Sequence, residues 1–146
     1  MPKTRLGITV IVLALLALAP AAMSRESAAP TLTIKSSSFG RVLFDGRGFV
    51  LYAFTRDKNG RSACYGACAK AWPVYYAKAT LRAGTGIKRS LIGTTKRRDG
   101  RSQITYAGRP LYYYVGDTKA GQILCQNVVE FGGTWLIMRP SGKLVR

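Results

Sequence analysis

The side chains of this 146-residue sequence that could do chemistry are three cysteines, eight tyrosines and two aspartates that occupy repeated settings. Cys64 and Cys68 stand four apart, a spacing that places both on one face of a helix, and Cys125 lies far downstream. A thiol–disulfide component would use such cysteines as an exchanging pair, but their spacing is not the two-residue redox motif. Asp57 and Asp117 lie 60 residues apart at matching places, so a twofold arrangement of the two copies would offer paired carboxylates. Such a pair suits a cation or acid–base work. The simpler role for each is to accept backbone N–H bonds at its own turn, or a tyrosine hydroxyl from the other copy. Histidine is absent from the sequence. That excludes Ser-His-Asp and Cys-His nucleophilic machinery, a histidine metal site and the Cys-x-x-Cys-His haem attachment pattern. Met138 is the only methionine certain to survive removal of a leader, too little for a mixed-ligand copper site. These residues assign no catalytic group, metal or cofactor.

The elements that must position these residues come as a repeat. Leu51-Tyr52-Ala53-Phe54-Thr55-Arg56-Asp57 returns as Leu111-Tyr112-Tyr113-Tyr114-Val115-Gly116-Asp117. Each copy follows a short turn, Asp45-Gly46-Arg47-Gly48 or Ala107-Gly108-Arg109-Pro110, and each turn follows an alternating segment, Arg41 to Phe44 or Gln103 to Tyr106. Another strand-like piece lies upstream, at residues 31–35 and 91–97, and each copy closes on a tryptophan, Trp72 or Trp135. Period-two alternation, β-branched and aromatic residues and Gly-containing turns predict β structure. Asp45-Gly46 and Asp99-Gly100 suit tight hairpin turns. Each repeat therefore reads as a three-stranded antiparallel meander with a fourth strand after its tryptophan. Tyr52 and Phe54 share one face, as do Tyr112 and Tyr114, and this aromatic stripe suits core packing between two sheets or two repeats. One copy alone could hardly bury it, so the two should form a single core. One helix is expected in the first repeat, over Ala63 to Ala71, with Ser62 capping its start and Pro73 ending it. Residues 78–90 read as the joining loop, and 121–133 as an irregular connection.

Lys3 and Arg5, an apolar run from Leu6 to Ala19, and small residues to Ser24 form the basic, apolar, small order of a secretory leader. The expected organisation is a signal peptide over 1–24 and one domain over 25–146, with repeats at about 31–77 and 91–146. An uncleaved N-terminal anchor is the alternative, because the run approaches spanning length. The location is extracytoplasmic, periplasmic or secreted. Lysine and arginine number 23 against 6 aspartates and glutamates, and removing the leader takes away only Lys3 and Arg5. A field of that sign draws polyanions. The cations are scattered, with clusters only at Lys88-Arg89 and Lys96-Arg97-Arg98, which fits a diffuse field better than a shaped groove.

These residues resemble the bacterial secreted-repeat proteins, predicted lipoproteins with a Tyr-x-aromatic-x-x-Asp motif. That motif stands at Tyr52 to Asp57 and at Tyr112 to Asp117. The family's Ser-x-Cys-x-x-x-Cys-x-x-x-Trp-Pro block is similar to Ser62 through Pro73. Its Arg-x-Asp-Gly and Thr-Tyr-x-Gly-x-Pro-Leu-Tyr segments resemble Arg97 to Gly100 and Thr105 to Tyr112, and its Gly-Gly-x-Trp resembles Gly132 to Trp135. The resemblance implies an extracytoplasmic two-repeat β protein and no established reaction. Two features depart from the family: no lipobox cysteine follows the apolar run, and Cys125 stands where glycine is more usual. Because the shared block contains Cys64 and Cys68, the resemblance implies a bridge between them with Cys125 free. A long-range bridge from Cys125 to either remains the rival, and would stabilise more in the chain-entropy picture.

The functional expectation is an exported, non-catalytic envelope or secreted module that binds an anionic envelope polymer or lipid surface, or a protein partner. A thiol-redox or electron-transfer component built on the cysteines and tyrosines is the second reading. Nucleic-acid binding is a third, favoured by charge and opposed by export and by the lack of a recognised motif.

Overall fold

The computed structural model describes Met1 and residues 31–146, so the leader reading lies outside the described residues. Strand β1 (Leu32–Ser37) and strand β2 (Gly40–Asp45) form an antiparallel hairpin in register from Leu32 opposite Asp45 to Ser37 opposite Gly40. The chain returns through Val50 opposite Phe44 into β3 (Tyr52–Phe54). A short helix, α1 (Ala67–Ala71), follows, and a 3-10 turn (Arg89–Leu91) leads into the second repeat. There β4 (Ile92–Lys96), β5 (Ser102–Tyr106) and β6 (Arg109–Pro110) make an antiparallel sheet, and β7 (Val128–Glu130) pairs with β8 (Gly133–Ile137). Among the described residues the protein is mainly β, with eight strands in three antiparallel sheets and one short helix, as its alternating pattern predicts.

The strand that follows or contains each tryptophan leaves its own repeat. Strand β8 of the second repeat pairs with β3 of the first, Tyr52 opposite Ile137 and Phe54 opposite Trp135. Reciprocally, residues after Trp72 run along the second repeat. Val74 lies opposite Tyr112, Tyr75 N–H donates to the Leu111 carbonyl (3.1 Å), and Tyr113 N–H donates to the Pro73 carbonyl (2.8 Å). The exchange places a buried strand between two cores. Along residues 51–54 the side chains alternate, with Tyr52 and Phe54 facing an aromatic core and Leu51 and Ala53 facing an aliphatic one. Strand β8 divides likewise, with Trp135 and Ile137 in the aromatic core and Met138, just past its end, in the aliphatic one. The aromatic stripe is thus core, shared by both repeats.

Two local expectations change. The helix begins at Ala67 rather than Ala63, because Ser62 is held elsewhere: its hydroxyl accepts from Arg97 and from Cys64 N–H. Gly66, at φ 56°, turns the chain into the first helical residue without a side-chain cap. Within the segment read as irregular, Val128–Glu130 forms a strand, too short to show a period in the sequence. The joining loop packs back on β1. Gly84 N–H donates to the Leu32 carbonyl (2.8 Å), and a Cβ on Gly84 would lie 2.7 Å from that oxygen, so the approach requires glycine.

A chain ending after Thr85 lacks β8 and the Leu111–Tyr113 segment, leaving Tyr52, Phe54 and Trp72 uncovered. It should give collapsed or aggregated protein with narrow amide dispersion, whereas the full chain melts in one transition. A well-dispersed amide spectrum from the shortened chain would show that the first repeat folds alone.

Candidate functional site

The two repeats meet backbone to backbone at Tyr52 and Tyr112. Each donates its N–H to the other's carbonyl, both at 2.9 Å, which puts a local twofold between the two copies of the motif. Both side chains are fully buried and each crosses to the opposite repeat. Tyr52 hydroxyl donates to Asp117 Oδ2, and Tyr112 hydroxyl donates to Asp57 Oδ2, both at 2.8 Å. The second oxygen of each carboxylate closes its own turn: Asp57 Oδ1 accepts from Ala63 N–H (2.7 Å) and Asp117 Oδ1 from Leu124 N–H (3.0 Å). Both roles expected of these aspartates occur together. The motif therefore works in trans, tyrosine from one copy and aspartate from the other.

The remaining motif residues build a column of rings on the same twofold. Trp72 and Trp135 stack at 3.9 Å and 1°, Phe54 stacks on Trp135 at 4.1 Å and 8°, and Tyr114 tilts against Trp72 at 4.8 Å. Tyr52 meets the edge of Trp72, and Tyr112 the edge of Trp135, both at 5.2 Å. Each such contact contributes on the order of 1 kcal/mol beyond its burial. Both indole N–H groups end at Glu130, Trp72 on its carboxylate (2.8 Å) and Trp135 on its carbonyl (3.3 Å).

Cys64 and Cys68 are bonded to each other, with Cα atoms 5.3 Å apart. Cys125 is free and partly buried against the aromatic core. Its N–H donates to the Tyr52 oxygen (3.4 Å), and burial pushes its thiol up from the ordinary range. Among the described residues there is no group of three or more cysteines or carboxylates able to hold a metal, and no helix is long and apolar enough to cross a membrane.

Three groups escaped the sequence reading. Arg97, the middle residue of the Lys96-Arg97-Arg98 cluster, is buried; it donates to Ser62 Oγ (2.7 Å), Gln103 Oε1 (2.8 Å) and the Cys64 carbonyl (2.6 Å). Its Nε has no partner. Asp45, read as a turn residue, is also buried and accepts from Arg47, from Phe49 N–H and from Tyr113 hydroxyl (2.9 Å), a third tyrosine–aspartate bond between repeats. Burial alone would raise Asp45, but these donors outweigh it and hold the carboxyl below its usual range. The third is Gln103, which no polar motif marks; beyond Arg97 it donates to the Leu111 carbonyl (2.9 Å).

The chain matches a family model described as a secreted repeat of unknown function, once over residues 33–75 and again over 93–138. No curated protein and no solved structure matches. The two matched stretches contain both hairpins save their first residues, Leu32 and Ile92, together with both motif copies and both tryptophans.

Burial raises Asp57 to about 6, against the opposing pull of Ala63 N–H, Tyr112 hydroxyl and Arg97, and it raises Asp117 in the same direction. A carboxyl raised in the folded state contributes stability that is full below about pH 4 and lost as pH rises through about 6. Acidification from pH 7 to 5 should therefore raise the melting temperature, with Asp57 supplying on the order of 1–2 kcal/mol after allowance for its partial exposure. With no histidine in the chain, no other side chain ordinarily titrates in that window. Thermal melts at the two pH values check it: Asp57→Asn should shrink the rise, and a wild type that loses stability between pH 7 and 5 would contradict it.

Proposed function

We propose, from the premise that this chain belongs to the secreted-repeat family, that it is a non-catalytic extracytoplasmic module that binds an anionic envelope surface through its exterior charge. The observation that carries this reading is how the fold sorts its charges. Asp45, Asp57 and Asp117 are turned inward as acceptors for tyrosines of the other repeat. Asp99 and Glu130 are the exposed acids among the described residues, while Arg97 is the one buried cation. The exterior is therefore more positive than composition alone requires. Only Arg47–Asp45 and Arg101–Asp99 form ion pairs among the described residues, so the other exposed cations there have no carboxylate partner.

Some of these cations are held in place. Arg98 lies over the Tyr65 ring from solvent (4.5 Å to the ring centre), opposite no carboxylate, whereas Arg101, over Tyr76 (3.7 Å), is already paired with Asp99. Ring-backed guanidinium groups keep their donors outward at reduced entropy cost, which suits contact with phosphate or carboxylate groups on a polymer or a lipid head. The remaining basic residues are spread over the surface, which favours a diffuse, charge-led association over recognition of one small ligand.

The full chain should bind phosphatidylglycerol-containing vesicles and heparin at low ionic strength and release both as salt rises, because at physiological salt charges beyond about 8 Å are largely screened. Neutral phosphatidylcholine vesicles should not retain it. Cosedimentation and a salt-gradient column measure this. Absence of binding at low salt, or binding indifferent to salt, would refute the reading.

A further inference from the structure

The motif tyrosines do more than fill a core. Phenylalanine would pack against Trp72 and Trp135 as well, and would spare the chain the burial of two hydroxyls and two carboxylates. Instead each repeat aims a phenol at a carboxylate 2.8 Å away, a distance at which a proton can pass directly. Both phenols also touch the tryptophan stack, at 5.2 Å, and that stack extends through Tyr114, which is partly exposed. Donor rings, proton acceptors and a path toward solvent thus coincide on one local twofold.

We propose that Tyr52–Asp117 and Tyr112–Asp57, joined by the Trp72–Trp135 stack, form a proton-coupled relay for one-electron oxidation. The co-reactant is a one-electron oxidant arriving at the protein surface, such as an oxidising radical. It takes one electron from the ring column and is reduced. The electron deficit settles on Tyr52 or Tyr112, whose O–H bond breaks as its proton passes to Asp117 or Asp57. The products are a neutral tyrosyl radical and a neutral carboxylic acid, so charge inside the core falls by one negative unit, matching the electron that left. A one-electron donor returns the system, the proton moving back to the phenolate as the electron arrives. The carboxylate makes this possible: an oxidised phenol is a strong acid, and without an acceptor in contact its proton would have no destination in the buried core. Tyr65 and Tyr76, whose rings stack under guanidinium groups at 4.2 Å and 3.7 Å, sit under positive charge that disfavours an electron deficit. Tyr113, the third phenol on a carboxylate, lies beneath Arg47 (5.8 Å). Its acceptor Asp45 already holds the Arg47 guanidinium and two backbone N–H groups, so Tyr52–Asp117 and Tyr112–Asp57 are the sites on which it rests.

The test uses the full chain with photogenerated tris(bipyridine)ruthenium(III) as oxidant and time-resolved electron paramagnetic resonance as readout. The wild type should give a long-lived neutral tyrosyl signal. The Tyr52→Phe/Tyr112→Phe variant should lose that component, and Asp57→Asn/Asp117→Asn, which keeps a hydrogen-bond acceptor but weakens the base, should shorten its lifetime severalfold. Melting curves establish that both variants are folded. A second measurement needs no variant: forming the radical in the wild type should be slower in deuterated water, because the proton moves with the electron. A signal unchanged in the tyrosine variant, a lifetime unchanged in the folded asparagine variant, or a wild-type rate indifferent to deuterium would each overturn the proposal.

Discussion

Everything in this fold depends on the meeting of Tyr52 and Tyr112. Their two backbone hydrogen bonds set the local twofold, and their side chains cross it to reach aspartates that end the opposite motif. A carboxylate that accepts both a turn N–H and a foreign phenol has its position fixed by both repeats at once. From that follow the edge contacts with Trp72 and Trp135, the stack between those indoles, and the exchange of the strands that carry or follow them. The two repeats are interlocked, each completed by the other.

The interlock also accounts for the charge of the exterior. Internal acceptors are needed wherever a tyrosine hydroxyl is buried, since an unpaired one costs about 1–3 kcal/mol. Aspartates supply them at Asp45, Asp57 and Asp117, and acids used inside are lost to the surface. The strongly basic exterior is thus linked to the design of the core. Of these carboxyls, Asp57 and Asp117, which burial raises, are the ones that respond to mild acid.

Much of this was legible in the sequence. The 60-residue offset between Tyr52-x-Phe54-x-x-Asp57 and Tyr112-x-Tyr114-x-x-Asp117 shows a repeat, and period-two alternation shows strands. That Asp57 and Asp117 could accept from the other copy's tyrosines followed from their place at the end of aromatic strands. What alternation does not encode is a strand's partner, so the pairing of β3 with β8 was not readable. Ser62 has the composition of a helix cap, yet Arg97 and Tyr112 compete for its hydroxyl, and a single-sequence pattern cannot register competition from residues distant in the chain. Arg97 sits between Lys96 and Arg98, so its burial is masked by exposed neighbours of the same charge; strand alternation through Thr95 was the one available sign. Asp45 was hidden by the good turn signal of Asp45-Gly46.

The central claim, that trans tyrosine–aspartate bonds join the repeats, is tested most directly by a double-mutant cycle on Tyr52 and Asp117. Denaturant unfolding of the wild type, Tyr52→Phe, Asp117→Ala and the double variant gives the coupling energy. A phenol donating to a carboxylate at 2.8 Å across the repeat boundary should couple by about 1.5–3 kcal/mol. Effects that add to within about 0.5 kcal/mol would show that the two residues stabilise the fold independently and that the repeats are held together by something else.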